Sequence, residues 1–424
     1  MVPLGIGIDI GTSGSRAVAM RPDFFIAATA AMPLDRFGAN GRDPAVWWAA
    51  VKATLQELFS QIDRAAVRTI AVDGTSGTLL PIDAAGRPLA EPLMYNDKVP
   101  DAAILAAIDG AAPEASAAHG ATSGLAKALW FQRLPGIHAV LHQADWIAGQ
   151  LSGRFDVSDQ NNSLKTGYDA EARRWPEWIA ATGMRMELLP AVVSPGSVTG
   201  RVTAAAAGLL GLPRDVAVVA GTTDGCASFL ATGAAAAGDG VTALGSSLTI
   251  KILSDRPIFA PRYGIYSHRL GDAWLAGGAS NTGGKVLTQH FSLARIVELS
   301  ASIDPATETG LDYYPLGPAG ERFPIADPTL QSRLLPRPRS DADYLKAMLE
   351  GIAAIEALGY RRLAELGAPP LTSVRSVGGG AANAAWTAIR QRKLGVEFRP
   401  ALSDEAAAGA ARLALMGARE AGLL

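Results

Sequence analysis

The sequence predicts an α/β fold built in two similar halves, each a mixed β-sheet flanked by helices. Three observations predict it. Apolar runs of strand length alternate with stretches of helical periodicity. Those runs repeatedly end in Gly, Ser, Thr and Asp, where open α/β sheets bind ligands. One device, apolar run, Gly/Ser turn, apolar run, also occurs near the start and again half a chain later.

The first copy is LGIGIDIGTSGSRAVAM, Leu4 to Met20. Its runs Leu4–Ile10 and Ala17–Met20 flank a polar turn, Gly11–Ser15, as a hairpin does. Asp9 stands at the end of the first run beside Gly11, Thr12 and Ser13. Glycines let backbone N–H groups approach an anion, hydroxyls add donors, and a nearby carboxylate can hold hydrated Mg²⁺. Taken alone, the segment is equally compatible with an ordinary turn and a solvated acid.

Phe24–Met32 reads as the next strand. Asp43-Pro44 then opens a helix as N-cap and first helical residue, and Trp47, Val51, Leu55, Leu58 and Phe59 follow at helical spacing. Arg68–Val72 is a buried strand running into Asp73-Gly74-Thr75-Ser76-Gly77. Thr78–Ile82 resumes as strand, and a polar cluster, Met94–Lys98, ends that region. Residues 99–200 are Ala-rich and expected to be mostly helical, with polar inserts at 159–162 and 165–169 and a connector at 190–201.

The second half repeats the scheme. A strand, Asp215–Ala220, runs into Gly221-Thr222-Thr223-Asp224-Gly225 and a helix-like Cys226–Ala231. The second hairpin follows at Gly240–Ile252, with Gly245, Ser246 and Ser247 in its turn and Leu244 where the first copy has Asp9. Ala273–Ala276 is a further strand. Asp341–Leu366 is a long amphipathic segment, broken or softened at Gly351 and Gly359. Arg375–Val377 opens into Gly378-Gly379-Gly380, then Asn383 and Trp386, where a flat ligand can lie against backbone. Strand–helix close packing uses such glycines too. Ser403-Asp404-Glu405 begins the last helix.

Of 424 residues, 49% are hydrophobic and 18% charged, which favours a large core over disorder. A net charge of −2 favours neither nucleic acid nor an anionic membrane as partner. One cysteine, Cys226, excludes a disulfide framework and a Cys-based metal site. The longest apolar stretch, Phe24–Leu34, contains Pro33 and is too short to span a bilayer. With no signal-peptide pattern visible, the expectation is a cytoplasmic protein, monomeric or homodimeric.

These pieces, in this order, resemble the FGGY carbohydrate kinases of the actin-like ATPase superfamily. Asp9–Ser13 resembles the first phosphate loop, Gly221–Gly225 the catalytic-Asp segment, Leu244–Ser247 the second phosphate loop and Gly378–Asn383 the adenosine motif. Lys127-Ala128-Leu129-Trp130 matches the family signature in part, and DGTSGTLLPID with MYND is similar to D-ribulokinase-like or xylulokinase-like short members. The resemblance implies two actin-like (ribonuclease H-like) domains, 1–220 and 221–424, with an ATP and sugar cleft between them. It implies transfer of the ATP γ-phosphoryl to a ketopentose hydroxyl, D-ribulose first, with xylulokinase or another polyol or ketose kinase as the alternative. An actin-like ATPase without sugar dependence is the alternative of another class.

In that reading Asp224 is the base, with Thr12 also in the catalytic set. Gly11, Thr12 and Ser13 face Gly245, Ser246 and Ser247 across the phosphates. Gly379, Gly380, Asn383 and Trp386 form the adenosine site, and Asp9 holds Mg²⁺ through water. Ser76 leads the sugar-binding set, followed by Asp73, Thr75 and Asp97, together with Asp224.

Overall fold

Strand β1 (Leu4–Ile10) is buried along its whole length and is central to the first sheet. It pairs antiparallel with β2 (Gly14–Met20), which pairs antiparallel with β3 (Ile26–Pro33). On its other side β1 runs parallel to β4 (Val67–Gly74). Beyond β4 lie β5 (Val198–Arg201) and β6 (Ala217–Thr223), giving the order β3-β2-β1-β4-β6-β5. The computed structural model describes residues 2–424.

Helix α1 (Pro44–Ser60) starts as expected: Asp43 caps it by accepting from Ala45 N at 2.8 Å. Its buried Trp47, Val51, Leu55 and Leu58 share a core with Ile6, Ile8 and Ile10. The C-terminal helix (Ala406–Glu420) belongs to this unit as well. Gly5 and Gly7 explain the fit. A Cβ on Gly7 would stand 2.0 Å from Ala407 O, so only glycine lets the helix backbone press onto β1.

Two compact units result. One holds the chain up to Ala231, with His268–Gly271 and Glu405–Leu424; the other holds Thr232–Ser267 and Asp272–Asp404. The expected boundary at 220/221 therefore moves. Gly221–Thr223 completes β6, and the helix that follows it stays in the first unit.

The second unit repeats the strand scheme. β7 (Asp239–Leu244) and β8 (Leu248–Ser254) form the hairpin, β9 (Ala273–Ala279) extends it, and β10 (Ser373–Val377) and β11 (Glu397–Arg399) run parallel beyond β7. The order β9-β8-β7-β10-β11 matches β3-β2-β1-β4 at its start, which supports duplication.

Three expectations need correction. Residues 99–200 are not mostly helical: they include strands at Ala139–His142, Val157–Asp159 and Ala191–Val193, besides β5. The long helix Asp341–Glu365 is unbroken. Its glycines serve contact rather than bending, since a Cβ on Gly351 would sit 2.8 Å from Tyr313 O and one on Gly359 2.4 Å from Ile250 Cδ1. In the last helix Glu405 is the N-cap residue without a capping bond, and it pairs with Arg16 instead.

Candidate active site

In the first unit the parallel register places Asp9 of β1 opposite Asp73 of β4, and Asp73 opposite Thr222 of β6. A bulge between Val219 and Thr222 bends β6 at this point. Gly221 permits it, because a Cβ there would meet Val72 O at 1.6 Å. Two residues after Thr222, Asp224 opens helix α4 (Asp224–Ala231) as its one acid, and Asp224 Oδ1 accepts from Gly225 N at 2.6 Å. Three carboxylates thus meet at the ends of β1, β4 and β6.

Their electrostatics follow from crowding. Burial raises the pKa of Asp9; Asp73 and the Arg16 guanidinium work against that rise, and the Asp224 charge adds to it. Asp73, fully buried, is pushed well above the carboxylate range, first by burial and then by the charges of Asp9 and Asp224. Among the described residues no N–H or hydroxyl donor reaches either Asp73 oxygen, and the Asp9 carboxyl is its close neighbour. Arg16, which the sequence reading passed over, is opposite Asp9 across the hairpin, with Nη1 3.2 Å from Oδ2. The alternation of the strand pair carries that signal.

The turn Gly11–Ser13 is open: Thr12 and Ser13 are exposed, and Gly11 N is tied to Gly14 O at 3.0 Å. The second turn, Gly245–Ser247, is exposed too. By strand position Ala243, not Leu244, is the counterpart of Asp9, and Val377 of β10 stands where Asp73 stands. The second copy has lost both acids. The segment after β9 laces this turn: Gly284 N donates to Gly245 O at 2.8 Å and Lys285 N to Ser246 O at 3.1 Å.

Beside that turn, the second unit contains a cavity of about 680 Å³. Gly379, Gly380, Asn383 and Trp386 line it together with Gly245 and Ser246. A Cβ on Gly379 would meet no atom within 4 Å, whereas one on Gly380 would reach Trp386 Cζ3 at 2.6 Å. The opposite wall is helix α5 (Leu293–Ser300), whose Leu293 and Val297 are each 72% exposed. Apolar side chains left open on a cavity wall suit a flat apolar ligand. Both ends of the Asn383 amide are engaged within the wall. Its Oδ1 caps helix α7 (Ala384–Leu394, numbered after α6, Asp341–Glu365) through Trp386 N at 3.0 Å, and its Nδ2 donates to Ser300 Oγ at 2.8 Å.

The residues expected to bind sugar are placed unevenly. Asp73 lies with the acids, while Thr75 and Ser76 occupy a turn closed by Thr78 N to Thr75 O at 3.2 Å, with Gly77 at φ +84°. Thr75 Oγ1 is engaged by Thr78 Oγ1 at 2.6 Å and Gln143 Oε1 at 2.8 Å. Ser76 Oγ is enclosed and has no partner. Asp97 accepts from Met94 N at 2.7 Å and from Arg42, closing the neighbouring turn. The polar insert at 159–162 forms a short helix, α3 (Gln160–Ser163), where Asn161 Nδ2 donates to Thr222 Oγ1 at 2.9 Å.

Lys127, on helix α2 (Gly124–Phe131), is wholly buried and donates to Gly77 O and Met94 O, both at 2.7 Å. Burial, with the Lys165 charge nearby, lowers its pKa to about 8. From about pH 8 to 10.5 the unfolded chain binds a proton that the folded chain does not, so stability rises with pH there. Against Lys127→Met, which cannot titrate, the wild type should gain up to roughly 3 kcal/mol across that window. Urea unfolding of both proteins at pH 7.5 and 10 checks this; a constant gap would contradict it.

Residues 4–231 match the N-terminal domain, and residues 234–418 the C-terminal domain, of the FGGY family of carbohydrate kinases. A xylulose kinase of Streptomyces coelicolor is 29% identical over the whole of this chain and 88% of its own length. One from Staphylococcus epidermidis is 23% identical over 97% of this chain and 87% of its own. The crystal structure of xylulose kinase from Rhodospirillum rubrum superposes with a TM-score of 0.81 at 25% identity, covering 99% of this chain and 90% of that one. No helix among the described residues is long and apolar enough to cross a membrane. Family domains that together span nearly the whole sequence, on the duplicated strand scheme described above, make this chain a member of the FGGY carbohydrate kinases, ATP-dependent sugar phosphotransferases.

Proposed function

We propose that the chain transfers the γ-phosphoryl of ATP to a hydroxyl of a ketopentose, D-ribulose first, with Asp224 receiving the hydroxyl proton. The observation that carries this is the grouping of Asp9, Asp73 and Asp224 at three strand ends beside the open turn Gly11–Ser13. Phosphoryl transfer has a loose transition state, so the chain's work is positioning and charge neutralisation. An Asp accepts a proton late in such a step, when the attacking alcohol has become acidic. Thr12 and Ser13 would donate to phosphate oxygens from one turn, and Gly245, Ser246 and Ser247 from the other. Arg16 would add positive charge beside the first turn. Gly379, Gly380 and Trp386 would wall the adenosine, with Asn383 holding that wall in shape.

The acids also fit Mg²⁺. They offer only hard oxygen donors, and the buried Asp73 oxygens have no N–H or hydroxyl to satisfy them. Asp9, Asp73 and Asp224 feel one another's charge, but among the described residues no three such side chains are placed to hold an ion by themselves, so in this reading waters would complete the shell around Asp9. When bound, the ion supplies neutralisation of phosphate charge.

D-ribulose and D-xylulose differ only in configuration at C3, so one hydroxyl partner separates them. The stretch from Asp73 to Asp83 resembles D-ribulokinase-like and xylulokinase-like members alike, and the names of the relatives point to xylulose. ADP release measured with D-ribulose, D-xylulose, L-ribulose and glycerol decides. The expected result is the highest kcat/KM with D-ribulose. A preference for D-xylulose would move the assignment within the family, and sugar-independent hydrolysis alone would remove the kinase reading.

A further inference from the structure

We propose that Lys127 is the positioning residue that sets acceptor geometry and selectivity, by locking the turns Thr75–Thr78 and Met94–Asp97 to one another. The inference rests on the reading above that the sugar lies against these turns.

Both acceptors of its ammonium are main-chain carbonyls, one in each turn. Gly77 O follows Ser76 directly. Met94 O also closes its own turn by accepting from Asp97 N at 2.9 Å, so the ammonium grips the hinge of that turn. A second tie runs in parallel, from Tyr95 N to Thr78 Oγ1 at 3.1 Å. Residues 94–100 form no helix or strand, and besides these ties they are held by Asp97, which accepts from Met94 N and Arg42, and by Val99 N donating to Ala121 O at 2.9 Å.

The choice of a lysine is informative. Two carbonyls could be tied by a neutral amide, whereas a buried ammonium without a carboxylate is costly. What the ammonium adds is charge-assisted hydrogen bonds, shorter and stronger than neutral ones. Its base is rigid as well. Ser123 caps α2 by accepting from Ala126 N at 3.2 Å, and Leu125, Ala126, Ala128 and Leu129 are buried in a core of their own. A fixed helix thereby transmits a fixed position to two irregular turns. Polyol recognition depends on such positions, because an error of one ångström can cost about 10²-fold in rate.

The test compares wild type, Lys127→Met and Lys127→Arg, with Thr78→Val removing the second tie. Steady-state kinetics are measured for ATP and for two ketopentoses, and melting confirms that each variant is folded. Lys127→Met should raise the KM for the preferred sugar by about 10-fold or more and leave the KM for ATP within about twofold. It should also change the ratio of kcat/KM between the two ketopentoses, a readout that lost stability alone does not move. Lys127→Arg, which keeps charge and donors, should recover part of the loss. Thr78→Val should act in the same direction and combine non-additively with Lys127→Met. Unchanged sugar KM and selectivity in a folded Lys127→Met protein would overturn the inference while the kinase reading stands, and so would equal losses for sugar and ATP. If Lys127→Met is unfolded, Thr78→Val with unchanged selectivity overturns it. A wild type that accepts no sugar overturns both.

Discussion

Asp224→Asn should lower kcat by at least about 10²-fold and up to about 10⁴-fold, the range that one positioned acid–base group supplies. Binding of ADP should change little, because the apolar cavity that suits adenosine is lined by residues 244–386 and contains none of the acids. The substitution keeps the shape of the side chain and its bond with Gly225 N, so helix α4 should still begin there. Only the capacity to take up a proton is lost.

The prediction has an electrostatic companion. The Asp224 charge raises the pKa values of both Asp9 and Asp73. Removing it lets those two carboxyls ionise more easily, so Asp224→Asn separates proton acceptance from the total negative charge beside the Gly11–Ser13 turn. Stopped assays and isothermal titration with ADP, run on one preparation, read both properties. Near-wild-type turnover would remove Asp224 from the base role, and lost ADP binding would show that the variant had damaged more than the chemistry.

How far these residues could be read from the chain depended on how local their signals were. The two hairpins were legible because alternation and a Gly/Ser turn are local, and the sheet register then set Asp9 beside Asp73. Asp224 was legible as an acid at a strand-to-helix junction. Lys127 was legible only as part of the partial family match at Lys127–Trp130; its burial and its two carbonyl partners depended on the packing of its helix. Asn383 was legible as polar and adjacent to glycines, but its commitment to Trp386 N and Ser300 Oγ depended on a helix more than 80 residues away in sequence. The placement of the last helix was hidden for the same reason. Ala-rich helices carry little pattern of their own, and the counterpart of this one is the pair Gly5 and Gly7 in β1, at the opposite end of the chain. The strands within residues 99–200 were missed because three- and four-residue runs fall below the length at which period 2 can be told from period 3.6.

Glu356→Ala should destabilise the second unit by about 3–5 kcal/mol, the loss expected when one member of a buried ion pair is removed. Glu356 of α6 and Arg390 of α7 are both fully buried and joined by two hydrogen bonds, Nε to Oε2 at 2.6 Å and Nη2 to Oε1 at 2.7 Å. Arg390 Nη1 reaches Ser376 Oγ of β10 at 2.7 Å, and Thr242 Oγ1 of β7 donates to Glu356 Oε1 at 2.6 Å. Tyr360 completes the group through Thr242, its phenol held neutral by burial and by the Glu356 charge. The network therefore ties two helices to two strands beneath the helix that carries Trp386. Removing Glu356 leaves a guanidinium in the core with no counter-charge, and the strain falls on α7 and so on the cavity wall. ADP affinity should drop along with stability. Replacing both partners, Glu356→Leu with Arg390→Met, should recover most of the stability, because it is the unpaired charge, more than the missing bonds, that destabilises. Urea unfolding of the single and double variants distinguishes these outcomes. A double variant as unstable as Glu356→Ala would mean that the network's hydrogen bonds, rather than its charge balance, hold the second unit together.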